Sequence, residues 1–450
     1  MTISEGDLLW TPSEQFMRSA NMSQFVQWLE KNRGLVFDDY QSLWQWSIDE
    51  IELFWAAVWD YCEVQSSTPY ECVLRNPTMP GAQWFPGSRL NFAEHILRHE
   101  RDDTTALYAY SELHQPSRVS WRELGDQTRK LAQQLREMGV VPGDRVAMYM
   151  PNTADAVVIL LATAAVGGIF SSCSPDFGHK SVLDRLLQIE PKVLFCTDGY
   201  RFGGKDFDRR EAARDIIQLL PSLEQVVQVP NLFASDSELI VPKATRWHTI
   251  MERPSVPADS FKFEQLPFDH PLWVLYSSGT TGLPKPIVQS HGGITLEFLK
   301  VIGFHMNMTP DSAMFFYTST GWMMWNIVAG ALITGGAAVL YDGTPATADD
   351  PAILWRIAED SGTTFFGASP TYISMMDKLN IVPKESFNLP NLKGILLGGS
   401  PATPEAMAWC YENIDSDLWV TSQSGGTDIC SGFVGASPTL PVYAGEIQAR

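Results

Sequence analysis

Nine consecutive residues, Ser277-Ser278-Gly279-Thr280-Thr281-Gly282-Leu283-Pro284-Lys285, carry the strongest chemical signal in the chain. They follow an apolar run that ends at Tyr276 and supply four hydroxyl side chains, two glycines and a lysine fixed behind a proline. Glycine lets the backbone approach an anion closely and take up unusual dihedrals, while hydroxyls and backbone N–H groups donate to it. Lys285 adds a point charge, so the segment suits a polyphosphate. It is not a Walker A loop, because the lysine stands between two prolines instead of after glycine. Nor is a dinucleotide fingerprint present, since no two of the 33 glycines are spaced i, i+2.

Other segments could share this chemistry. Thr421-Ser422-Gln423-Ser424-Gly425-Gly426-Thr427-Asp428 reads as a polar turn after a strand, either a solvated Gly-Gly turn or a second phosphate-side element. Gly398-Gly399-Ser400-Pro401 follows the apolar Ile395-Leu396-Leu397 and could present its backbone to a flat ring. Trp322-Met323-Met324-Trp325 has core composition, but it is preceded by Thr320-Gly321 and could line a pocket. Arg201 and Lys205, in GYRFGGK, are either solvated or matched to an anion. His95 and His99 stand i, i+4 with no third ligand in sight, which argues against zinc. No GxSxG elbow occurs, which argues against a serine hydrolase.

The nine-residue string resembles the signature of the adenylate-forming superfamily, which includes acyl-CoA synthetases, luciferases and peptide-synthetase adenylation domains. Leu90-Asn91-Phe92-Ala93-Glu94, Gly143-Asp144-Arg145-Val146-Ala147, Thr320-Gly321-Trp322 and Gly398-Gly399-Ser400-Pro401 occur in the expected order. The acetyl-CoA synthetase branch is most similar. Within it, the LLWTPSEQ opening, PKPIVQSHGG and SQSGGTDICSGF resemble the acetoacetyl-CoA synthetases. The resemblance implies ATP-dependent activation of acetoacetate, or a similar short acid, through an acyl-adenylate and transfer to CoA, with Mg²⁺ as the metal. It gives catalytic roles to Lys285, Thr427 and Asp428, with Ser277, Ser278, Gly279, Thr280, Thr281 and Gly282 around the phosphates. Gly398, Gly399, Ser400 and Pro401 meet adenine, and Arg201 meets the CoA phosphates. Asp428 replaces the usual Glu beside the metal and is one methylene shorter, so its contact can pass through water. Trp322, Met323 and Met324 line the acyl pocket. Gly425 stands where acetyl-CoA synthetases carry Trp, which implies an acid larger than acetate.

The elements that must position these residues alternate. Leu107 to Tyr110, Arg145 to Met150, Val193 to Cys196, Leu272 to Tyr276, Ala337 to Tyr341, Thr364 to Phe366, Gly394 to Leu397 and Leu418 to Thr421 read as strands. Helices are expected between them, with Trp121 to Met138 and Ala154 to Gly167 the plainest. This alternation predicts an α/β fold of two parallel-sheet subdomains with covering helices. The expected division is a Trp-rich helical cap over 1–100, a first subdomain over 101–265 and a second, carrying the phosphate loop, over 266–450. The family pattern continues past Arg450 with a mobile C-terminal domain, so the fold is expected to be incomplete at its C-terminal end. Two readings follow: a ligase, or a non-catalytic ATP-binding remnant of one.

Composition narrows the partners. The 450 residues are 45% apolar and carry a formal net charge of -20, which disfavours nucleic acid and anionic membrane surfaces as partners. The most apolar run, Ala154 to Phe170, includes Asp155 and small residues, suiting a buried helix better than a membrane span. Six scattered cysteines and an N-terminus without an apolar signal segment point to a cytoplasmic protein.

Overall fold

The computed structural model describes residues 3–101, 104–234, 237–277 and 282–450. Two seven-stranded sheets form the body. In the first, the strands run in the spatial order Thr245–Arg246, Gln225–Val229, Val193–Thr197, Arg145–Tyr149, Ile169–Cys173, Pro271–Tyr276 and Pro286–Ser290. All neighbours are parallel except the last pair, an antiparallel hairpin. The second sheet runs Trp419–Ser422, Gly394–Leu397, Phe365–Ala368, Ala313–Phe316, Ala337–Asp342, Thr105–Ser111 and Ser117–Ser120. Only its last pair is antiparallel.

The expected boundary near residue 265 does not separate these sheets. Thr105–Ser111 and Ser117–Ser120 belong to the second sheet, whereas Pro271–Tyr276 and Pro286–Ser290 complete the first. Sequence order gives each strand but not the sheet whose open edge it joins, and both crossing pairs dock at such edges.

Local signals account for the helices. Ser120 and Glu123 form a capping box at the start of helix Trp121–Glu137, satisfying N–H groups that the first turn leaves free. The last ten residues of helix Ala154–Ala165 are all buried, as a helix enclosed between two sheets must be. Helices Glu14–Ser19, Asn21–Arg33, Tyr40–Asp49 and Ile51–Tyr61 form the cap. It is riveted to the body by Phe25, stacked 4.8 Å from Phe304. The Asn21 side-chain amide donates to the carbonyls of Gly303 and Met308, each at 2.8 Å. The N-terminal region is not wholly helical, because strand Leu8–Trp10 pairs with Val442–Tyr443 at the far end of the chain. No helix among the described residues is long and apolar enough to cross a membrane.

Candidate active site

In an open α/β sheet the carboxyl ends of the strands leave a crevice where ligands settle. Three strands of the second sheet end on such a crevice. Gly394–Leu397 runs into Gly398-Gly399-Ser400-Pro401, Trp419–Ser422 runs into Gln423, and Ala313–Phe316 leads to the loop before Trp322. A cavity of about 640 Å³ opens there, lined by Trp322, Met323, Met324, Gly398 to Ala402, Ser422 to Thr427, Ser431 and Gly445 to Ile447. Nine residues singled out in the sequence thus share one cavity: Trp322, Met323, Met324, Gly398, Gly399, Ser400, Pro401, Gly425 and Thr427.

Packing between the sheets fixes the Trp322 wall. The Thr320 hydroxyl donates to the Met150 carbonyl at 2.7 Å, and the Ser172 hydroxyl donates to the Thr320 carbonyl at 2.6 Å. The first sheet therefore holds the loop that carries Trp322, an N-cap residue with its ring edge-on to Phe316 at 5.7 Å. Gly399 has φ +92°, and a Cβ there would lie 3.6 Å from the Trp322 ring. Its glycine supplies the left-handed turn that brings backbone to the cavity. Met323 and Met324 are buried at the start of helix Met323–Gly330.

Gly425 lines the cavity but has a stricter duty than an open pocket position. A Cβ there would lie 2.0 Å from the Ser431 carbonyl oxygen and 2.6 Å from Gly432 Cα. These are backbone atoms of the partner strand in the Ser424–Gly426/Ser431–Val434 hairpin, so no side chain fits without moving that strand. The space beside Gly425 is a consequence of how closely the hairpin closes.

The expected phosphate segment lies between the paired strands Pro271–Tyr276 and Pro286–Ser290, and the Ser277 N–H donates to the Lys285 carbonyl at 3.2 Å. Ser278, Gly279, Thr280 and Thr281 lie outside the described residues. Gly282 is exposed, and a Cβ at its position would meet open space. Lys285 is exposed at the end of the turn.

One residue that sequence reasoning missed joins this hairpin to the cavity. Gln289 receives the Trp273 indole N–H at 2.9 Å, which orients its amide. The amide donates to the carbonyls of Thr427, at 2.8 Å, and Asp428, at 3.2 Å. Only its place one residue before the helix-capping Ser290 could have drawn notice. Asp428 itself is exposed and does not line the cavity. Among the described residues no group of three or more His, Cys, Asp or Glu stands together as a metal cage.

Arg201 lies elsewhere. It sits on hairpin Gly199–Phe202/Lys205–Asp208, beside a separate cavity of about 660 Å³, with its guanidinium clasping Asp206 at 2.5 and 3.1 Å. Glu112 accepts the N–H groups of Gly203 and Gly204 at 3.0 and 2.8 Å and fixes that turn. Lys205 is exposed on the same hairpin.

Comparison with known proteins agrees with this geometry. Residues 92–434 match the AMP-binding enzyme family, and residues 40–96 match the acetyl-coenzyme A synthetase N-terminus. An acetoacetyl-CoA synthetase of Gallus gallus is 39% identical over 100% of this chain and 68% of its own length. One from Rhizobium meliloti is 39% identical over 98% of this chain and 67% of its own length. The solved structure of acetoacetyl-CoA synthetase from Streptomyces lividans superposes with a TM-score of 0.94 at 47% identity, covering 98% of this chain and 68% of that one. These matches span nearly the whole of this chain and about two thirds of the length of each relative.

Proposed function

The chain belongs to the AMP-binding enzyme family, and we propose that it is an acid–thiol ligase joining acetoacetate to CoA with ATP. In the first step an acid carboxylate oxygen attacks the α-phosphorus of ATP, and the bond to pyrophosphate breaks as the acyl-adenylate forms. In the second, the CoA sulfur attacks the acyl carbon and loses its proton, and AMP departs. Such transfers ask the protein mainly for positioning and for charge stabilisation.

The observation that carries this reading is the single cavity in which Gly398–Pro401, Thr427 and the Met323–Met324 pair meet. Gly398, Gly399, Ser400 and Pro401 receive adenine, and Thr427 meets the α-phosphate. Ser277 to Gly282 and Lys285, tied to Thr427 through Gln289, hold the departing pyrophosphate. Trp322, Met323 and Met324 hold the acyl chain, and the space beside Gly425 favours an acid longer than acetate. Arg201 reaches the CoA phosphates once it releases Asp206. Mg²⁺ typically binds through one or two carboxylates plus substrate phosphates and keeps several waters, which an exposed Asp428 can satisfy. Bound there, the ion would neutralise phosphate charge. All six cysteines are free, which suits a cytoplasmic setting.

The test is pyrophosphate release with acetate, propionate, butyrate or acetoacetate as the acid. Acetoacetate is expected to be used fastest. Acetate as the best substrate, or release independent of acid, overturns the reading.

A further inference from the structure

Gly445, Glu446 and Ile447 line the 640 Å³ cavity, yet they belong to neither helix nor strand. Within the turn the Gly445 N–H reaches the Met407 sulfur at 3.3 Å, and the flanking segments hold its two ends. On one side, strand Leu8–Trp10 pairs antiparallel with Val442–Tyr443. The Gly6 N–H extends the ladder to the Ala444 carbonyl at 3.0 Å, and the Ala444 N–H donates to the Asp7 carbonyl at 2.8 Å. Trp10 is buried, donates its indole N–H to Asp417 at 2.9 Å and packs edge-on against Phe16, whose ring meets Trp419.

On the other side, the Trp419 indole N–H donates to Gln448 at 3.0 Å. The Tyr40 hydroxyl donates to the Arg450 carbonyl at 2.7 Å, and the Arg450 guanidinium lies 4.5 Å over the Trp44 ring. Leu8–Trp10 and Val442–Tyr443 both fall outside the segments that match known families, residues 40–96 and 92–434. The first and last parts of the chain thus hold each other, and the segment they hold is a cavity wall.

We propose that the N-terminal segment is a positioning element of the active site: strand Leu8–Trp10, with Tyr40 and Trp44, fixes Gly445–Ile447 as a wall against the bound nucleotide. This rests on the reading of the cavity as the nucleotide and acid site. Trp10 and Tyr40 do not line the cavity and act through the segment they hold.

The experiment uses the full chain and measures the AMP dissociation constant by calorimetry, KM for ATP and kcat in pyrophosphate release, and the melting temperature. Trp10→Phe removes the indole N–H from Asp417, and Tyr40→Phe removes the hydroxyl from the Arg450 carbonyl. Each lost hydrogen bond changes an equilibrium by roughly two- to tenfold. The double variant is therefore expected to weaken AMP binding and raise KM for ATP by about three- to tenfold. Its kcat should stay within about twofold and its Tm within about 2 °C. Asp60→Asn breaks the ion pair with Arg33 in the same cap without touching 442–450 and should leave AMP affinity unchanged.

Wild-type affinity in the double variant, or an equal loss in Asp60→Asn, overturns the inference alone. Absence of AMP binding by the unaltered protein overturns the cavity reading and this inference with it.

Discussion

Gly425→Ala adds one carbon where the hairpin has no room. The new Cβ would stand 2.0 Å from the Ser431 carbonyl oxygen, inside the 3.0 Å that real Cβ atoms keep, so the facing strand must retreat by about 1 Å. The obstacle is backbone, so rotamer changes give no relief. Overpacking of this kind costs about 1–3 kcal/mol. The hairpin is at the surface and can relieve the strain by opening, so Tm should fall by only a few degrees. Activity is more exposed, because Thr427 is two residues away and its carbonyl is held by Gln289 at 2.8 Å. Displacement of a reacting-site group by about 1 Å can cost roughly a hundredfold in rate. Acid-dependent pyrophosphate release by Gly425→Ala should therefore fall by one to two orders of magnitude in a folded protein. Gly425→Trp should fall at least as far with every acid, acetate included. A Gly425→Ala protein within threefold of wild type would refute the steric argument, as would a Gly425→Trp protein that turns over acetate well.

Gln289→Leu keeps the shape but leaves the Trp273 indole and the Thr427 and Asp428 carbonyls without their shared partner. Catalytic efficiency toward ATP, measured by pyrophosphate release, should fall about tenfold or more, and an unchanged value would count against the tie between phosphate hairpin and cavity. Asp342 lies in a neighbouring cavity, where burial first and Glu112 second raise its carboxyl from 3.8 to about 7, against a lowering hydrogen bond from Asn231. The folded protein keeps a proton that the unfolded chain releases, so this site's stabilisation is complete below about pH 4 and is lost as pH rises through 7. Asp342→Asn should accordingly raise Tm relative to wild type more at pH 8 than at pH 5, and equal shifts at both would contradict the assignment.

The eight strands read from the sequence are all present within a residue or two, because each is an apolar run closed by turn residues. Ile169–Cys173 escaped notice since its serines look like loop. In the sheet, the Ser171 hydroxyl donates to the Val274 carbonyl at 3.0 Å and the Ser172 hydroxyl to the Thr320 carbonyl at 2.6 Å. Ala313–Phe316, central in its sheet, was not read either. The cavity was legible where a short motif sits at a strand end, as at Gly398 and Thr427. It was illegible where distant segments meet, as at Gln289 and Gly445, because hydrogen bonds between residues more than a hundred positions apart leave no local pattern. Gly425 was visible as a missing side chain, but the reason for its absence, a backbone 2.0 Å away, exists only in the folded hairpin.

Charge completes the picture of the site. Among the described residues the cavity lining contains no Lys or Arg, and its single ionisable residue is the acidic Glu446. A nucleoside, a flat apolar ring on a neutral sugar, is at ease between Gly399 backbone and neighbouring side chains, whereas a triphosphate is not. Burying unpaired charge in such surroundings is costly, so the phosphates must be met at the rim. In the proposed site these groups are exposed Lys285 and exposed Asp428. Around the separate 660 Å³ cavity, Arg201 is engaged by Asp206 and Arg356 by Asp350. With a net charge of -20, the protein cannot attract a polyanion by its overall field. Recognition in the proposed site falls instead on a few groups outside the lining, and a lining with Glu446 and no cation suits the proposed acyl chain, which ends in a ketone, better than one that ends in a second carboxylate.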